Sequence, residues 1–186
     1  VEGVASRNEN NQYIYLYPMK KSLPKKKVIN NITYIPYRYW FTKRGQNIAE
    51  IGILQSLRVS KLNYIKVLFL IISQFLNLLY FTIKLRPNYV YSHWVLPQGL
   101  ISAILSKITK TKYVVTSHGS DVTLLRKYNR IGKYILTFVI KNATKISVVS
   151  KKNYEKISEL VPLKPYDYKI KIIPMLNLRK DWHTEQ

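Results

Sequence analysis

Two short apolar runs, each followed by a histidine-containing turn and then by a helical pattern, constrain the fold of this chain most strongly. The first run is Tyr89–Ser92, and its turn begins at His93; the second is Tyr113–Thr116, which leads into the turn Ser117–Asp121. Short β-branched and aromatic runs that end at a turn before a helix are typical of buried parallel strands. In open α/β sheets, ligands bind beyond the carboxyl ends of such strands. The sequence therefore predicts a functional site where the two turns meet.

The same alternation continues to the end of the chain. The predicted helices are Pro97–Lys107, Tyr128–Lys141 and Lys151–Leu160, and the predicted strands between and after them are Lys145–Val149 and Tyr168–Ile173. Ser150 is expected to cap the third of these helices. Pro97 is expected in the first turn of its helix, and Ile131, Tyr134, Ile135, Phe138 and Val139 are expected to share one face of the next. This β-α-β order predicts an α/β fold with a parallel sheet and right-handed crossovers.

The first half of the chain carries two more strand patterns and one long apolar helix. Tyr13–Tyr17 predicts a strand that ends at Pro18, and Ile32–Tyr37 predicts an edge strand because it contains a proline. The lysine-rich stretch Lys20–Lys27 is expected to be a solvated linker. Leu62–Lys84 has the apolar spacing of a helix. Its interruptions by polar residues favour a buried or interfacial helix over a membrane span.

The net charge is unusual. The chain has 31 Lys and Arg against 9 Asp and Glu, a formal charge of +22. Nucleic acid, an anionic membrane surface and a biased composition rich in Lys, Ile, Asn and Tyr each account for such an excess. The aromatic and basic cluster Tyr37–Phe41 either packs beneath a loop or forms an interfacial patch. The chain lacks cysteine and has no charged-then-apolar leader at Val1, and we expect it to be a piece of a longer protein.

Several kinds of chemistry do not fit the two turns. His118, Ser120 and Asp121 are too close in sequence for a hydrolytic triad, in which base and nucleophile share a hydrogen bond. A metal site of His93, His118 and Asp121 is geometrically conceivable but lacks a recognised ligand spacing. No glycine-rich dinucleotide or phosphate-loop motif is present. What remains is a tight turn at Gly119, backbone N–H groups that favour an anion or a sugar hydroxyl, and an imidazole that hydrogen-bonds near neutral pH. Alternatively, both histidines only hold their loops in place.

Four motifs in register carry a resemblance to a known family. They are HWVLPQGL at His93–Leu100, YVVTSHGSDV at Tyr113–Val122, ATKISVVS at Ala143–Ser150 and IIPM at Ile172–Met175. In this order and spacing, the stretch from about Leu62 to Met175 resembles the N-terminal, acceptor-side domain of family 4 glycosyltransferases. The resemblance implies one half of a two-domain GT-B architecture, a Rossmann-like parallel sheet flanked by helices. It places that domain at residues 1–175 and an interdomain linker or tail at residues 176–186.

The resemblance also implies a function and site residues. The whole enzyme would be a retaining transferase that moves a sugar from a nucleotide-sugar to a glycan or lipid-linked acceptor in surface polysaccharide or glycolipid synthesis. His118 would lie at the reaction centre. The substrate-binding residues implied beside it are His93, Trp94, Gln98, Gly99, Gly119, Ser120 and Asp121.

Partners and location follow from the same resemblance. No metal or cofactor is expected, because the nucleotide-sugar is a co-substrate. The family's C-terminal donor-binding domain is missing from this sequence, and this piece alone is expected to be inactive. An anionic membrane surface is expected as a partner and nucleic acid is not, so the protein would be peripheral on the inner, cytoplasmic face of the cell membrane. The alternatives are a non-catalytic basic module that binds anionic lipid or nucleic acid, and a subunit completed by a separate donor-domain chain.

Overall fold

The computed structural model describes residues 10–20 and 26–174. The chain divides into two compact units, residues 1–84 and 85–186, and each contains its own sheet. The linker predicted at residues 176–186 lies outside the described residues. The single domain predicted over residues 1–175 stays a prediction.

The first unit contains a three-stranded sheet of β1 (Tyr13–Pro18), β2 (Lys27–Ile29) and β3 (Ile32–Tyr37), in the order β1-β3-β2. The predicted edge position of Ile32–Tyr37 is wrong, because β3 pairs with β1 in parallel and with β2 in antiparallel fashion. The pairing of β2 with β3 begins at Lys27 opposite Tyr34, whereas β1 pairs along the whole of β3, with Tyr17 opposite Pro36. The end of the predicted Lys20–Lys27 linker is also a strand start, since β2 begins at Lys27.

Three helices follow in the first unit. They are α1 (Ile48–Ile51), α2 (Ile53–Val59) and α3 (Leu62–Leu85). The helix predicted at residues 62–84 is confirmed, and Gly52, with a φ of 92°, separates α1 from α2. The aromatic cluster Tyr37–Phe41 is partly buried and partly exposed. Tyr37 and Tyr39 are buried in a small core with Ile48, whereas Phe41 is 75% exposed.

Helix α3 is far less buried than a core helix. Its buried residues are Asn63, Leu70 and Thr82, while most of its large apolar side chains are exposed. The buried alternative predicted for this helix is therefore wrong. With 24 residues and a mean hydropathy of 1.7, the helix is long and apolar enough to cross a membrane. Length and composition do not by themselves assign it to one, because some soluble proteins contain helices of the same kind.

The second unit is the predicted α/β fold. Its elements are β4 (Tyr89–His93), α4 (Leu100–Thr109), β5 (Lys112–Ser117), α5 (Ser120–Lys127), α6 (Asn129–Asn142), β6 (Lys145–Val148), α7 (Lys151–Ser158) and β7 (Ile170–Ile172). The sheet order is β4-β5-β6-β7, and every neighbouring pair is parallel. This is a Rossmann-like sheet with helical crossovers, as expected for half of a GT-B architecture. The Ser150 side chain caps α7 as predicted, accepting from the Asn153 N–H at 3.2 Å.

The core of the second unit lies on one face of this sheet. Alternate strand residues Tyr113 and Val115 of β5 and Ile146 and Val148 of β6 pack against side chains of α4, α5, α6 and α7. Each such side chain contributes roughly 1.5–3 kcal/mol when it is fully removed from water. The opposite face carries a row of linked hydroxyl groups, from Tyr91 through Thr116 to Ser147. The helices thus fix the position of the sheet from one side, which also fixes the strand ends.

Pro97 lies in the first turn of its helix, as predicted. A π-helical turn over Val95–Gly99 runs directly into α4, and within that turn only Leu96 has a non-helical conformation, at φ −124° and ψ 139°. An extended conformation is what proline favours in the residue before it. The face predicted for α6 is wrong in part, because Ile131 and Tyr134 are exposed, and the buried positions are Gly132, Leu136, Val139 and Ile140. The apolar pattern did not predict this face, because the residue of α6 that lies against Leu125 of α5 is Gly132, which has no side chain.

Gly132→Ala should destabilise the protein, although alanine is the better helix former by about 1 kcal/mol. A Cβ at Gly132 would lie 1.9 Å from the Leu125 carbonyl oxygen, and backbone cannot move aside as a flexible side chain can. We expect a loss of about 3 kcal/mol in the free energy of unfolding, measured by urea titration. Lys133→Ala, at the next, exposed position, is the control and should change stability little. Equal stability of the two variants would contradict the packing of α5 on α6.

Candidate functional site

The carboxyl ends of β4 and β5 lie side by side because the two strands pair in parallel, with His93 opposite Thr116. The pairing extends one residue further, where the Trp94 N–H donates to the Thr116 carbonyl at 2.8 Å. His118 directly follows Ser117, the last residue of β5. The two histidine turns therefore meet at this edge of the sheet, as the sequence predicted.

Three of the predicted site residues form a ring stack at this edge. The His118 ring centroid lies 5.0 Å from that of Trp94 and 5.7 Å from that of His93, each at an interplanar angle of 29°. His93 Nδ1 and His118 Nε2 are 3.5 Å apart. Tyr91 makes an edge-to-face contact with His93 at 4.8 Å. Trp94 is 40% exposed, so the stack reaches the protein surface.

The environment of His93 favours its neutral form. Burial of the ring, and then the nearby His118, lower the pKa of His93 from its ordinary value of 6.5. A half-buried imidazolium loses hydration, and a second positive ring in contact with it would repel it. His93 is therefore uncharged at pH 7, with one ring nitrogen available as a hydrogen-bond acceptor.

The turn after His118 requires glycine. Gly119 has a φ of 92°, a conformation that side-chain-bearing residues rarely adopt. A Cβ there would also lie 3.3 Å from Asn153 Oδ1. The glycine thus lets the chain leave β5 and enter α5 within two residues, which leaves His118 at the carboxyl edge of the sheet.

Asp121 binds both turns from within the protein. The residue is 3% exposed, and its Oδ2 accepts from the Val95 N–H at 2.7 Å. Its Oδ1 accepts from the N–H groups of Gly119 and Val122, at 2.9 and 3.0 Å, and from Ser117 Oγ at 3.1 Å. Two of the N–H groups expected to favour an anion are therefore already bound by this carboxylate.

The remaining predicted residues surround the stack in different ways. Ser120 is exposed at the start of α5. Gly99 is buried, and a Cβ there would lie 3.0 Å from Val115 Cγ2, so its small size serves packing of the turn. Gln98 lies in the same turn, and its Oε1 is buried without a hydrogen-bond partner among the described residues. None of these three residues contacts the ring stack through a hydrogen bond that the structure records.

Sequence reasoning missed Asn153 and Tyr91. Asn153 is 3% exposed and donates from Nδ2 to the Ser117 carbonyl at 2.9 Å and to Ser117 Oγ at 3.1 Å. It lies in the first turn of α7, far from the turns in sequence, and no local pattern connects it with Ser117. Tyr91 is two residues before His93 on the same strand, and strand alternation could have placed both on one face.

The site combines hydrogen-bonding imidazole rings with an aromatic surface. Asp121 is occupied by four protein donors, and within residues 10–20 and 26–174 no three His, Asp or Glu side chains form a group that could hold a metal ion. The groups facing outward are the imidazole of His118 and the indole of Trp94. An imidazole can donate to or accept from a hydroxyl, and an indole offers a flat apolar face with one N–H donor.

A family model described as glycosyl transferase 4-like matches residues 41–150, more than half of the chain. The match covers both histidine turns, the ring stack and Asp121. The chain belongs to the glycosyl transferase 4-like family. The resemblance that the four motifs carried is thereby confirmed.

Two curated relatives are similar over part of the chain. An uncharacterized glycosyltransferase of Methanocaldococcus jannaschii is 34% identical over 62 residues, which are 33% of this chain and 17% of that protein. A putative teichuronic acid biosynthesis glycosyltransferase of Bacillus subtilis is 29% identical over 76 residues, 41% of this chain and 20% of that protein. The matched stretch thus spans about a fifth of each relative's length.

The lowered pKa of His93 predicts that acid destabilises the folded protein. The unfolded chain takes up a proton on this residue near pH 6.5, before the folded chain does. The stability is therefore full above that pH and falls as the pH decreases below it. We expect the free energy of unfolding to decrease between pH 7.5 and 5.5, and to decrease less in His93→Gln. Equal decreases in the two proteins, measured by urea titration at each pH, would contradict the assigned environment.

Proposed function

We propose that this chain is the acceptor-side domain of a retaining, nucleotide-sugar-dependent glycosyltransferase. The whole protein would transfer a sugar to a glycan or lipid-linked acceptor in the synthesis of a surface polysaccharide or glycolipid. The convergence of His93, Trp94 and His118 at the carboxyl edge of a parallel sheet, in a chain of this family, carries the proposal. The name of the relative from Bacillus subtilis, which refers to teichuronic acid, supports a polysaccharide product.

Each group at the edge has a role in this proposal. His118 contacts the transferred sugar, hydrogen-bonds to it and stabilises charge as the oxocarbenium-like transition state forms. Trp94 offers its exposed face to the apolar face of a sugar ring. His93, neutral at pH 7, fixes the position of His118 through ring contact and lines the acceptor side. Ser120, exposed two residues after His118, hydrogen-bonds to a substrate hydroxyl.

The remaining components lie outside this chain. A donor-binding domain would hold most of the nucleotide-sugar and would be needed for turnover. No metal or cofactor takes part in the proposal, since the leaving nucleotide is activated by hydrogen bonds and by the donor domain.

The experiment uses the full-length protein and a panel of nucleotide-sugars, with hydrolysis and transfer followed by nucleotide release. We expect His118→Ala to lower turnover by at least about 100-fold, the usual scale for losing a group that acts on the transition state. The melting temperature should change little because His118 is only half-buried. Lys127→Ala, exposed at the far end of α5, is the control and should retain wild-type turnover.

Failure of the full-length protein to bind or turn over any nucleotide-sugar would overturn the enzyme proposal. Activity that appears only after a separate donor-domain chain is added would instead identify a partner subunit. Tight, strongly salt-dependent binding of DNA without turnover would identify a basic binding module.

We propose further that the first unit binds the inner face of the cytoplasmic membrane. Trp40, Phe41 and Phe69 form mutual edge contacts, with Phe41 75% exposed, and α3 continues this apolar surface. Lys66 lies over the Trp40 ring, and Lys43 and Arg44 are exposed two and three residues after Phe41. Glu50 is the sole acidic residue in residues 26–84 of the sequence. Aromatic side chains with basic neighbours are typical of membrane interfaces.

Sedimentation with vesicles tests this second proposal. The protein should bind vesicles of equal parts phosphatidylcholine and phosphatidylglycerol, and bind pure phosphatidylcholine much less. Arg44→Ala should weaken binding about fivefold, since a basic residue near an anionic surface contributes on the order of 1 kcal/mol. Phe41→Ser should weaken it at low and high salt alike, whereas the contribution of Arg44 is screened at high salt. Ile131→Ser, at an exposed position of the second unit, is the control. Equal binding to both vesicle types would contradict the proposal.

A further inference from the structure

We infer that Asp121 is the positioning residue that sets the distance between Trp94 and His118, and that it does not itself bind substrate. The inference rests on the proposed function, because it concerns how the groups of that site are held. Asp121 is 3% exposed, and its carboxylate accepts four hydrogen bonds from protein donors. Because the residue is buried and both oxygens already accept from protein groups, a sugar hydroxyl does not reach it.

The four donors come from both turns. One is the backbone N–H of Val95, which directly follows Trp94. Another is the backbone N–H of Gly119, which directly follows His118. The residues next to the two stacked rings are therefore held by the two oxygens of one planar group. Because carboxylate oxygens are a fixed distance apart, Asp121 sets the separation of the turns more tightly than packing alone.

The surroundings of Asp121 supply hydrogen-bond donors to both of its oxygens. The residue lies in the first turn of α5, where the helix dipole favours negative charge, and it also accepts from the Val122 N–H. Hydrogen bonds to an ionised acceptor are shorter and stronger than neutral ones. The 2.7 Å distance to the Val95 N–H is consistent with such a bond. Asparagine at this position would replace one of the two acceptor oxygens by an NH₂ group, which faces N–H donors and cannot accept from them.

Asn153 holds this arrangement from a third element. Its Nδ2 donates to the carbonyl and to the hydroxyl of Ser117, and that hydroxyl donates to Asp121 Oδ1. A continuous hydrogen-bonded path thus runs from α7 through the end of β5 to the β4 turn. Removing Ser117 Oγ would break this path at one point and leave the backbone donors to Asp121 in place.

The NMR signal of the His118 ring reports how close this ring lies to Trp94, and it is independent of the overall stability of the protein. The stacked Trp94 ring shields the His118 ring protons, and the chain has 3 histidines, so selectively labelled imidazoles are resolvable by NMR. His118→Gln identifies the His118 signal by removing it, and Trp94→Ala sets the value for complete loss of shielding. We expect Asp121→Asn to lose more than half of that shielding and Ser117→Ala to lose a smaller part.

Asp167→Asn is the matched control. Asp167 is an exposed carboxylate that accepts from the Tyr154 hydroxyl at 2.8 Å, and its substitution should leave the His118 signal unchanged. In the full-length protein, Asp121→Asn should lower kcat for sugar transfer about tenfold or more, with KM for the nucleotide-sugar within about twofold, because the group lost does not touch the donor.

The outcomes separate this inference from the proposed function. A folded Asp121→Asn protein with full shielding, or with unchanged kcat, overturns the inference and leaves the proposed function standing. If Asp121→Asn does not fold, an unchanged His118 signal in Ser117→Ala overturns it instead. Wild-type protein that is inert towards every nucleotide-sugar overturns the proposed function, and the NMR signal then tests the positioning of the rings alone.

Discussion

Parallel pairing of β4 with β5 is the constraint on which the site depends. Because the strands run the same way with His93 opposite Thr116, both turns leave the sheet at one edge. A shift of the pairing by one residue would exchange the two faces of β4 and place the ring of His93 on the helix side. The core opposes that shift, since Val90 of β4 packs against the same buried cluster as Tyr113 and Val115 of β5. The geometry of the ring stack is thus a consequence of how the sheet is packed.

Buried charges in the second unit are stable because protein groups replace the water that each has lost. Asp121 accepts from four donors, and Lys169, 4% exposed, donates to the carbonyls of Lys141 and Ala143 at the end of α6. Burial lowers the pKa of Lys169, which is the expected direction for a cation that is only partly compensated. Such groups are costly to leave unpaired, so they hold their elements in one arrangement. Asp121 holds together the two turns of the site, and Lys169 holds the start of β7 to the end of α6.

The fold could be predicted from the sequence where the determining pattern is local. The alternation of strand and helix patterns from Tyr89 onward correctly predicted the parallel sheet, and Ser150 was correctly predicted to cap α7. Errors arose where a distant residue decides the outcome. The pairing of β2 makes β3 a central strand despite Pro36, and the contact at Gly132 decides which face of α6 is buried. The meeting of His93 and His118 followed from strand order, but the hydrogen bonds of Asp121 and Asn153 depend on atoms that no periodicity specifies.

The close approach of the two imidazoles couples charge to binding. With His93 Nδ1 and His118 Nε2 3.5 Å apart, a positive charge on the neighbouring ring opposes protonation of His93. An anion that reached the rings would offset this repulsion and raise the proton affinity of His93. Binding of a phosphate-bearing ligand would then be accompanied by proton uptake from the solvent. The heat measured for that binding would depend on the ionisation enthalpy of the buffer, and the edge of the sheet would act as an acceptor of protons as well as of ligand.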